Sequence, residues 1–168
     1  MRQGIEFFTA TCLNWQVLLQ PEEHKQIVLD SLRFLVSNKR IWLYGYVIMP
    51  NHIHLLWCKH PEWLDKNVQQ HFAKYTAQQI KFNMIKTGAD LSVYKSTQND
   101  REYQFWERRP HIATMYNRVV LEQKLDYIHQ NPVKAGLVLL PEEYLYSSSG
   151  YYIDNKSDDL ITHYMEHI

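Results

Sequence analysis

Glycine is scarce in this sequence of 168 residues, which contains only five. They stand apart from one another, at Gly4, Gly45, Gly88, Gly136 and Gly150. A Walker-type phosphate loop and a dinucleotide-binding fingerprint both need closely spaced glycines. The sequence therefore excludes both motifs, and any phosphate chemistry must rely on side chains and a metal ion.

Cysteine and long apolar runs are also lacking. The two cysteines, Cys12 and Cys58, fall in apolar, strand-like segments, and we expect them to be reduced core residues because two cysteines do not make a disulfide framework. No apolar run approaches the roughly 18 residues of a membrane helix. The opening residues lack the basic-then-apolar pattern of a secretory signal. We therefore expect a cytoplasmic protein with no membrane partner.

Excess charge of either sign is missing as well, because 18 Lys and Arg balance 18 Asp and Glu. Binding to a phosphate backbone usually needs a basic excess, so the total counts against nucleic acid. The total hides a division, however. Residues 71–134 contain ten basic and six acidic side chains and carry +4, whereas residues 141–168 contain one lysine and six acids and carry −5. The central region is therefore where a polyanion is expected to bind.

Short apolar runs rich in aromatic and β-branched residues predict strands. These runs cover residues 5–11, 41–49 and 52–58, with a weaker one at 110–115. Turn residues between the second and third runs favour a hairpin, although one strand bent at Pro50 also fits.

Helical spacing of apolar residues predicts three helices between and after these strands. The first opens at Pro21, the second runs from about Asp65 to Lys86, and the third begins after Asn117. The third is expected to end at or before Asn131, because Pro132 disfavours helical geometry in the residue ahead of it. The element order predicts an α+β fold, a ferredoxin-like split βαβ arrangement whose antiparallel sheet has its helices packed mainly on one face.

Two histidines stand two positions apart in the third predicted strand, in the segment MPNHIHLLW. Because side chains on a strand alternate between its faces, His52 and His54 point to one side and Ile53 and Leu55 to the other. Two imidazoles on one face are the minimum for a divalent metal site. A chance pair is the competing interpretation, but an imidazole inside an apolar strand needs a partner.

The third helix carries a polar edge beside its apolar stripe. At about 100° per residue, Lys124, Tyr127 and Asn131 lie close together on that edge, whereas His129 points away from it. A tyrosine hydroxyl can act as a nucleophile when a metal polarises the phosphate under attack, and an amide oxygen can be a metal ligand. From helix geometry alone, an ordinary amphipathic helix that ends at Asn131 is the simpler interpretation.

Taken together, the segments GYVIMPNHIHLLW (45–57) and LDYIHQNPVKAGLV (125–138) resemble the REP-associated tyrosine transposases, single-strand DNA transposases of the HUH superfamily. Further similarity lies in EFFTATCLNW (6–15), QFWERRPH (104–111) and PEEYLYSSSGYY (141–152). The resemblance implies a transposase domain over residues 1–152. Residues 153–168 are then an acidic tail that belongs to the same domain or is partly ordered.

The resemblance implies specific roles for four residues. His52 and His54 would be the metal pair, Asn131 the third metal ligand and Tyr127 the nucleophile. With Mg²⁺ or Mn²⁺ as cofactor, Tyr127 would cleave single-stranded DNA next to a hairpin, leaving a 5′-phosphotyrosine and a free 3′-hydroxyl. Related insertion-sequence enzymes are dimers, so a homodimer is possible, and the tyrosine could work in its own chain or in a neighbour.

Basic and aromatic residues of the central region are candidate DNA contacts. Candidates for backbone phosphate are Lys74, Lys81, Arg108, Arg109 and Lys124. Trp106, with Phe105 and Tyr103, is a candidate for stacking on unpaired bases. Two other functions stay open: a non-catalytic protein that binds hairpin DNA, and a metal-dependent hydrolase that uses water.

Overall fold

Residues 4–168 are the part of the chain that the computed structural model describes; Met1–Gln3, the start of the predicted domain, lie outside it. The strands are β1 (Glu6–Thr11), β2 (Ile41–Ile48), β3 (His52–Lys59) and β4 (His111–Thr114). The helices are α1 (Glu22–Ser37), α2 (Val68–Thr87), α3 (Arg118–Lys134) and the short α4 (Ser149–Ile153). None of the helices in this range combines the length and hydropathy that a membrane span requires.

The four strands form one antiparallel sheet in the order β2-β3-β1-β4. This order and the split βαβ connections confirm the predicted α+β, ferredoxin-like fold. Strands β2 and β3 are a hairpin in which Ile48 pairs with Ile53, so the alternative of one bent strand is wrong. In the same register His54 lies opposite Thr9 of β1, which places it in the interior of the sheet.

Apolar layers cover both faces of the sheet. Helices α1 and α2 pack on the face that carries Phe8 and Leu55. Helix α3 packs on the other face, where Leu125 belongs to the same buried cluster as Phe7 and Leu56. The predicted packing on one face therefore holds for α1 and α2 but not for α3. The reason is that β1 and β3 carry large apolar side chains on both faces of the sheet, so other elements must cover both faces.

Helix α3 does not end where the sequence predicts. It runs through Pro132 to Lys134, so the predicted end at or before Asn131 is wrong. Proline so close to the end of a helix removes only one intrahelical hydrogen bond, and Pro132 is buried. The helix ends at Lys134 and is terminated by Gly136, two residues further on, whose φ of +73° is left-handed. The Leu137 amide donates to the Pro132 carbonyl at 2.9 Å, as in a Schellman motif.

The C-terminal segment 153–168, which is acidic overall, packs along the outer edge of β2. The Thr162 amide donates to the Leu43 carbonyl at 2.9 Å, and the Tyr46 hydroxyl donates to the Asp158 carboxylate at 3.1 Å. This segment therefore satisfies backbone groups on an edge strand that would otherwise be unpaired.

Gly45 allows α3 to cross β2 closely, and its replacement by alanine is expected to destabilise the protein. A Cβ at this position would lie 2.5 Å from Leu125 Cδ1 and 3.4 Å from Ser148 Oγ. Since Leu125 is buried, we expect a loss of about 1–3 kcal/mol in the free energy of unfolding. Urea denaturation measures this loss.

Gly150→Ala is the matched control for this substitution. Its added Cβ would meet only the flexible Lys156 side chain, with Cδ at 3.1 Å. Its unfolding free energy is expected to stay within about 0.5 kcal/mol of wild type. Equal stability of the Gly45→Ala and Gly150→Ala proteins would contradict the close crossing.

Candidate active site

His54 is a buried imidazole in the interior of the sheet, on the face that α3 covers. Its Nδ1 lies 2.7 Å from Thr9 Oγ1, the side chain directly opposite on β1. Its Nε2 is buried and has no hydrogen-bond partner. A buried nitrogen without a partner is costly, so this atom is suited to an external ligand such as a metal ion.

His52 lies beside His54, with 4.7 Å between the ring centroids. Its Nδ1 donates to Asn51 Oδ1 at 2.7 Å. The side chain of Asn131, on α3, lies close enough to His52 to raise its pKa. The structure therefore brings together the two histidines and the asparagine that the sequence predicts as metal ligands.

Burial favours the neutral form of both imidazoles. Burial, followed by the charges of His52, Lys124 and His111, lowers the pKa of His54 to about 3. Burial also lowers the pKa of His52, although the hydrogen bond with Asn131 opposes this shift. A neutral imidazole is the form that binds a metal, so neither histidine must lose a proton at neutral pH.

The donor set fits a divalent metal ion with two nitrogens and one oxygen. The hydrogen bonds of His54 to Thr9 and of His52 to Asn51 occupy Nδ1 in each ring, as second-shell partners of metal-bound histidines usually do. Residues 4–168 contain no group of three His, Cys, Asp or Glu side chains suited to a metal. The amide of Asn131, close to His52, is the group that the sequence resemblance predicts as the third donor.

Tyr127 lies on the solvent side of the histidine pair in its own chain. Its ring centroid is 5.3 Å from that of His54 and 6.0 Å from that of Phe7, and the residue remains 41% exposed. The Nζ atoms of Lys124 and Lys134 lie 5.7 and 5.6 Å from the ring centroid. A phosphate that reached the tyrosine would therefore meet two ammonium groups.

The predicted DNA contacts are distributed unevenly around this site. Lys124 lies at the site, beside Tyr127. Arg108 and Arg109 line an open cleft next to Thr11, the last residue of β1. Lys74 and Lys81 lie on α2, which packs on the opposite face of the sheet. These two lysines are not brought to the site and stay predictions for contacts elsewhere.

Trp106 is not a stacking surface, and that prediction is wrong. The residue is only 7% exposed, and its indole Nε1 donates to Thr76 Oγ1 at 3.1 Å. Trp106 belongs to the buried cluster between the sheet and α2, and its backbone forms a bridge with Cys12. Phe105 is buried in the same cluster.

The sequence reasoning missed four residues around the site. Thr9 and Asn51 bond the histidines, Lys134 approaches Tyr127, and Trp15 lies 5.9 Å from His52 between ring centroids. Lys134 could have been found, since positions 127, 131 and 134 share one helix face. The role of Thr9 depends on the register of β1 against β3, which the sequence does not contain.

The solved structures that are similar to this chain include two described as transposases. The structure of a REP-associated tyrosine transposase bound to a REP hairpin matches with a TM-score of 0.65 and 18% identity, over 96% of this chain and 90% of that one. The crystal structure of a candidate transposase from Deinococcus radiodurans R1 matches with a TM-score of 0.51 and 14% identity, over 77% and 93%. The fold is therefore one that transposases adopt.

The first of these neighbours is of the same family that the sequence motifs resemble, which confirms the resemblance at the level of the fold. No family model matches the chain, and no curated protein does.

Proposed function

We propose that this protein is a single-stranded DNA endonuclease and strand transferase, a transposase with a tyrosine nucleophile. The observation that carries the proposal is the position of Tyr127, 5.3 Å between ring centroids from a buried histidine whose Nε2 has no partner. A partly exposed tyrosine beside two histidines able to bind a metal is the arrangement that phosphoryl transfer to tyrosine needs.

The proposed reaction exchanges one phosphate ester for another. The Tyr127 oxygen attacks the scissile phosphorus, the bond from phosphorus to the 3′ oxygen breaks, and the tyrosine proton passes to solvent. The products are a 5′-phosphotyrosine and a strand that ends in a 3′-hydroxyl. Attack of a 3′-hydroxyl on the phosphotyrosine reverses the step, so joining needs no external energy source.

His52, His54 and Asn131 are the proposed ligands of a Mg²⁺ or Mn²⁺ ion. Such an ion, when bound, polarises the scissile phosphate and stabilises the charge that develops on its oxygens. Thr9 and Asn51 fix the ring orientations through the hydrogen bonds described above. Asn131 links the metal pair to the helix that carries the nucleophile.

Lys124 and Lys134 are proposed to hold the phosphate next to Tyr127. Their ammonium groups approach the tyrosine ring from within α3, and cations aimed at a developing phosphoryl charge stabilise the transition state. Phe7 packs on the same ring edge-on, at an interplanar angle of 74°, and limits its movement.

The proposed substrate is single-stranded DNA next to a hairpin. The +4 charge of residues 71–134 and the exposed site support a polyanionic substrate. The similarity to a transposase that is bound to a REP hairpin supports a hairpin beside the cleavage point.

The proposal is tested with hairpin-bearing oligonucleotides that have randomised single-stranded flanks, incubated with the protein and Mn²⁺. A fluorophore on the 3′ end should migrate with the protein on a denaturing gel, because the 5′-phosphotyrosine keeps the downstream fragment. A fluorophore on the 5′ end should appear on a shortened free strand. Peptide mass spectrometry should locate the adduct at Tyr127.

Other outcomes would assign a different function. Turnover without any adduct would support a hydrolase that uses water. Tight binding of the hairpin without cleavage, at all flanks and with both metals, would support a non-catalytic DNA-binding protein. Either result would overturn the transposase proposal.

A further inference from the structure

Trp15 is a large aromatic residue that the proposed reaction leaves without a role. It is 60% exposed, whereas Trp57 and Trp106 are buried in the core. Its ring lies 5.9 Å from that of His52 between centroids, at an interplanar angle of 71°. An exposed indole beside a metal-binding pair presents a free π-face at the place where DNA is expected to be cleaved.

The backbone holds Trp15 in an unfavourable conformation. Asn14 and Trp15 have φ angles of +51° and +57°, in the left-handed region that bulky residues rarely adopt. Such a conformation persists only where neighbouring structure imposes it. A smaller or more flexible residue would suit this backbone better, so the stability of the fold does not explain the tryptophan.

Trp15 ends a single helical turn, Leu13–Trp15, that is held in place by hydrogen bonds to two other segments. The Cys12 amide donates to the Asn51 carbonyl at 2.9 Å, which ties the turn to the residue before His52. The Asn14 amide donates to Glu107 Oε1 at 2.8 Å, which ties it to the segment before Arg108. The turn is therefore fixed relative to both the histidine pair and the two arginines.

Trp15 and the arginines line one open cleft of about 460 Å³. Its lining residues are Thr11, Trp15, Glu107, Arg108 and Arg109. Arg108 is oriented by an ion pair with Asp100 at 2.9 Å. An aromatic face combined with guanidinium groups is the chemistry by which proteins bind single-stranded nucleic acid, with stacking on a base and ion pairing to its phosphates.

We propose that Trp15 is a stacking platform for an unpaired base next to the scissile phosphate, and that Arg108 and Arg109 bind the phosphates flanking that base. The inference rests on the proposed single-stranded DNA substrate. It assigns to Trp15 the stacking role that the sequence suggested for Trp106, and it explains why a strained turn carries a tryptophan beside the histidine pair.

Trp15→Gly separates this role from any effect on folding. Glycine removes the ring and accepts the left-handed backbone, so thermal stability is expected to stay equal or rise. Affinity for a hairpin with an unpaired tail, measured by fluorescence anisotropy in EDTA, is expected to fall about 5- to 150-fold. Trp15→Phe is expected to recover most of that loss, because a phenyl ring still stacks.

Two controls define the specificity of the effect. Phe34→Ala removes another exposed aromatic side chain, 49% exposed on α1 and on the opposite face of the sheet, and should bind the tailed hairpin like wild type. A blunt hairpin without unpaired nucleotides should bind wild type and Trp15→Gly equally. The tailed hairpin should also quench the fluorescence of wild type more strongly than that of Trp15→Phe.

The outcomes distinguish this inference from the proposed function. Adduct formation by wild type with unchanged tailed-hairpin affinity in Trp15→Gly would overturn the stacking site and leave the transposase proposal standing. No adduct, together with the expected loss of affinity, would overturn the transposase proposal and leave the stacking site. An equal loss on the blunt hairpin would also overturn stacking on an unpaired base.

Discussion

Replacement of Tyr127 with phenylalanine is expected to abolish the covalent protein–DNA adduct while the protein stays folded and binds DNA. The substitution removes one oxygen atom from a side chain that is 41% exposed. The ring keeps its edge-on contacts with Phe7 and His54. Because the removed oxygen is the proposed nucleophile, adduct formation should fall at least about 10³-fold, to the background of the gel assay.

The matched control is Tyr116→Phe, which removes a hydroxyl from another exposed tyrosine near the start of α3, 83% exposed. This protein should form the adduct at the wild-type rate. An undiminished adduct in Tyr127→Phe would show that another residue is the nucleophile, and it would remove the basis of the proposed function.

A mixing experiment with the same variant tests whether the tyrosine acts within its own chain. Tyr127 lies against His54 of the same chain, so we expect an equimolar mixture of Tyr127→Phe and His54→Gln proteins to stay inactive. If the tyrosine acted in a neighbouring chain, mixed dimers would contain one intact site and the adduct would return.

Replacement of His54 with glutamine is expected to have the second large effect, the loss of divalent metal binding. The imidazole supplies the buried Nε2 that has no partner in the protein, and glutamine cannot place a neutral ring nitrogen there. Mn²⁺ affinity, measured by electron paramagnetic resonance of the free ion in the absence of DNA, should fall at least about 10²-fold. This readout does not depend on activity.

Thr9→Val tests the same site through the hydrogen bond that orients the ring. The valine removes the 2.7 Å contact with His54 Nδ1 but keeps the volume and the β-branch. Loss of a second-shell partner usually weakens metal binding about 10- to 100-fold, so this variant should fall between wild type and His54→Gln. His71→Ala, at an exposed position on α2, should bind Mn²⁺ like wild type. Equal Mn²⁺ affinity in all four proteins would contradict the metal site.

Local periodicity predicts how the candidate site residues lie within their own elements, whereas their assignment to one site came from the resemblance to the transposase family. The alternation of a strand puts His52 and His54 on one face, and the turn of a helix puts Tyr127 and Asn131 on one edge. Each of these two relations depends on the geometry of a single strand or a single helix. The split βαβ arrangement also followed from the order of strands and helices along the chain, because few topologies accommodate that order.

The errors concern relations between elements. Trp106 is buried because its segment pairs with Cys12 and lies beneath α2, contacts that a local pattern cannot reveal. Trp15 was missed because its exposure depends on a left-handed turn held by Asn51 and Glu107. The predicted helix end before Pro132 is wrong because this proline costs only one hydrogen bond near the end of the helix and is buried in the core.

Helix α3 runs without interruption from Arg118 to Lys134, so the proposed nucleophile and the third ligand belong to one rigid element. Tyr127 and Asn131 are separated by a single turn of unbroken helix, so neither can be displaced without the other. Any swing of α3 that withdrew the phosphotyrosine from the sheet would also withdraw the Asn131 amide from the histidines. Exchange of DNA strands and loosening of the metal ion would then be two consequences of one motion.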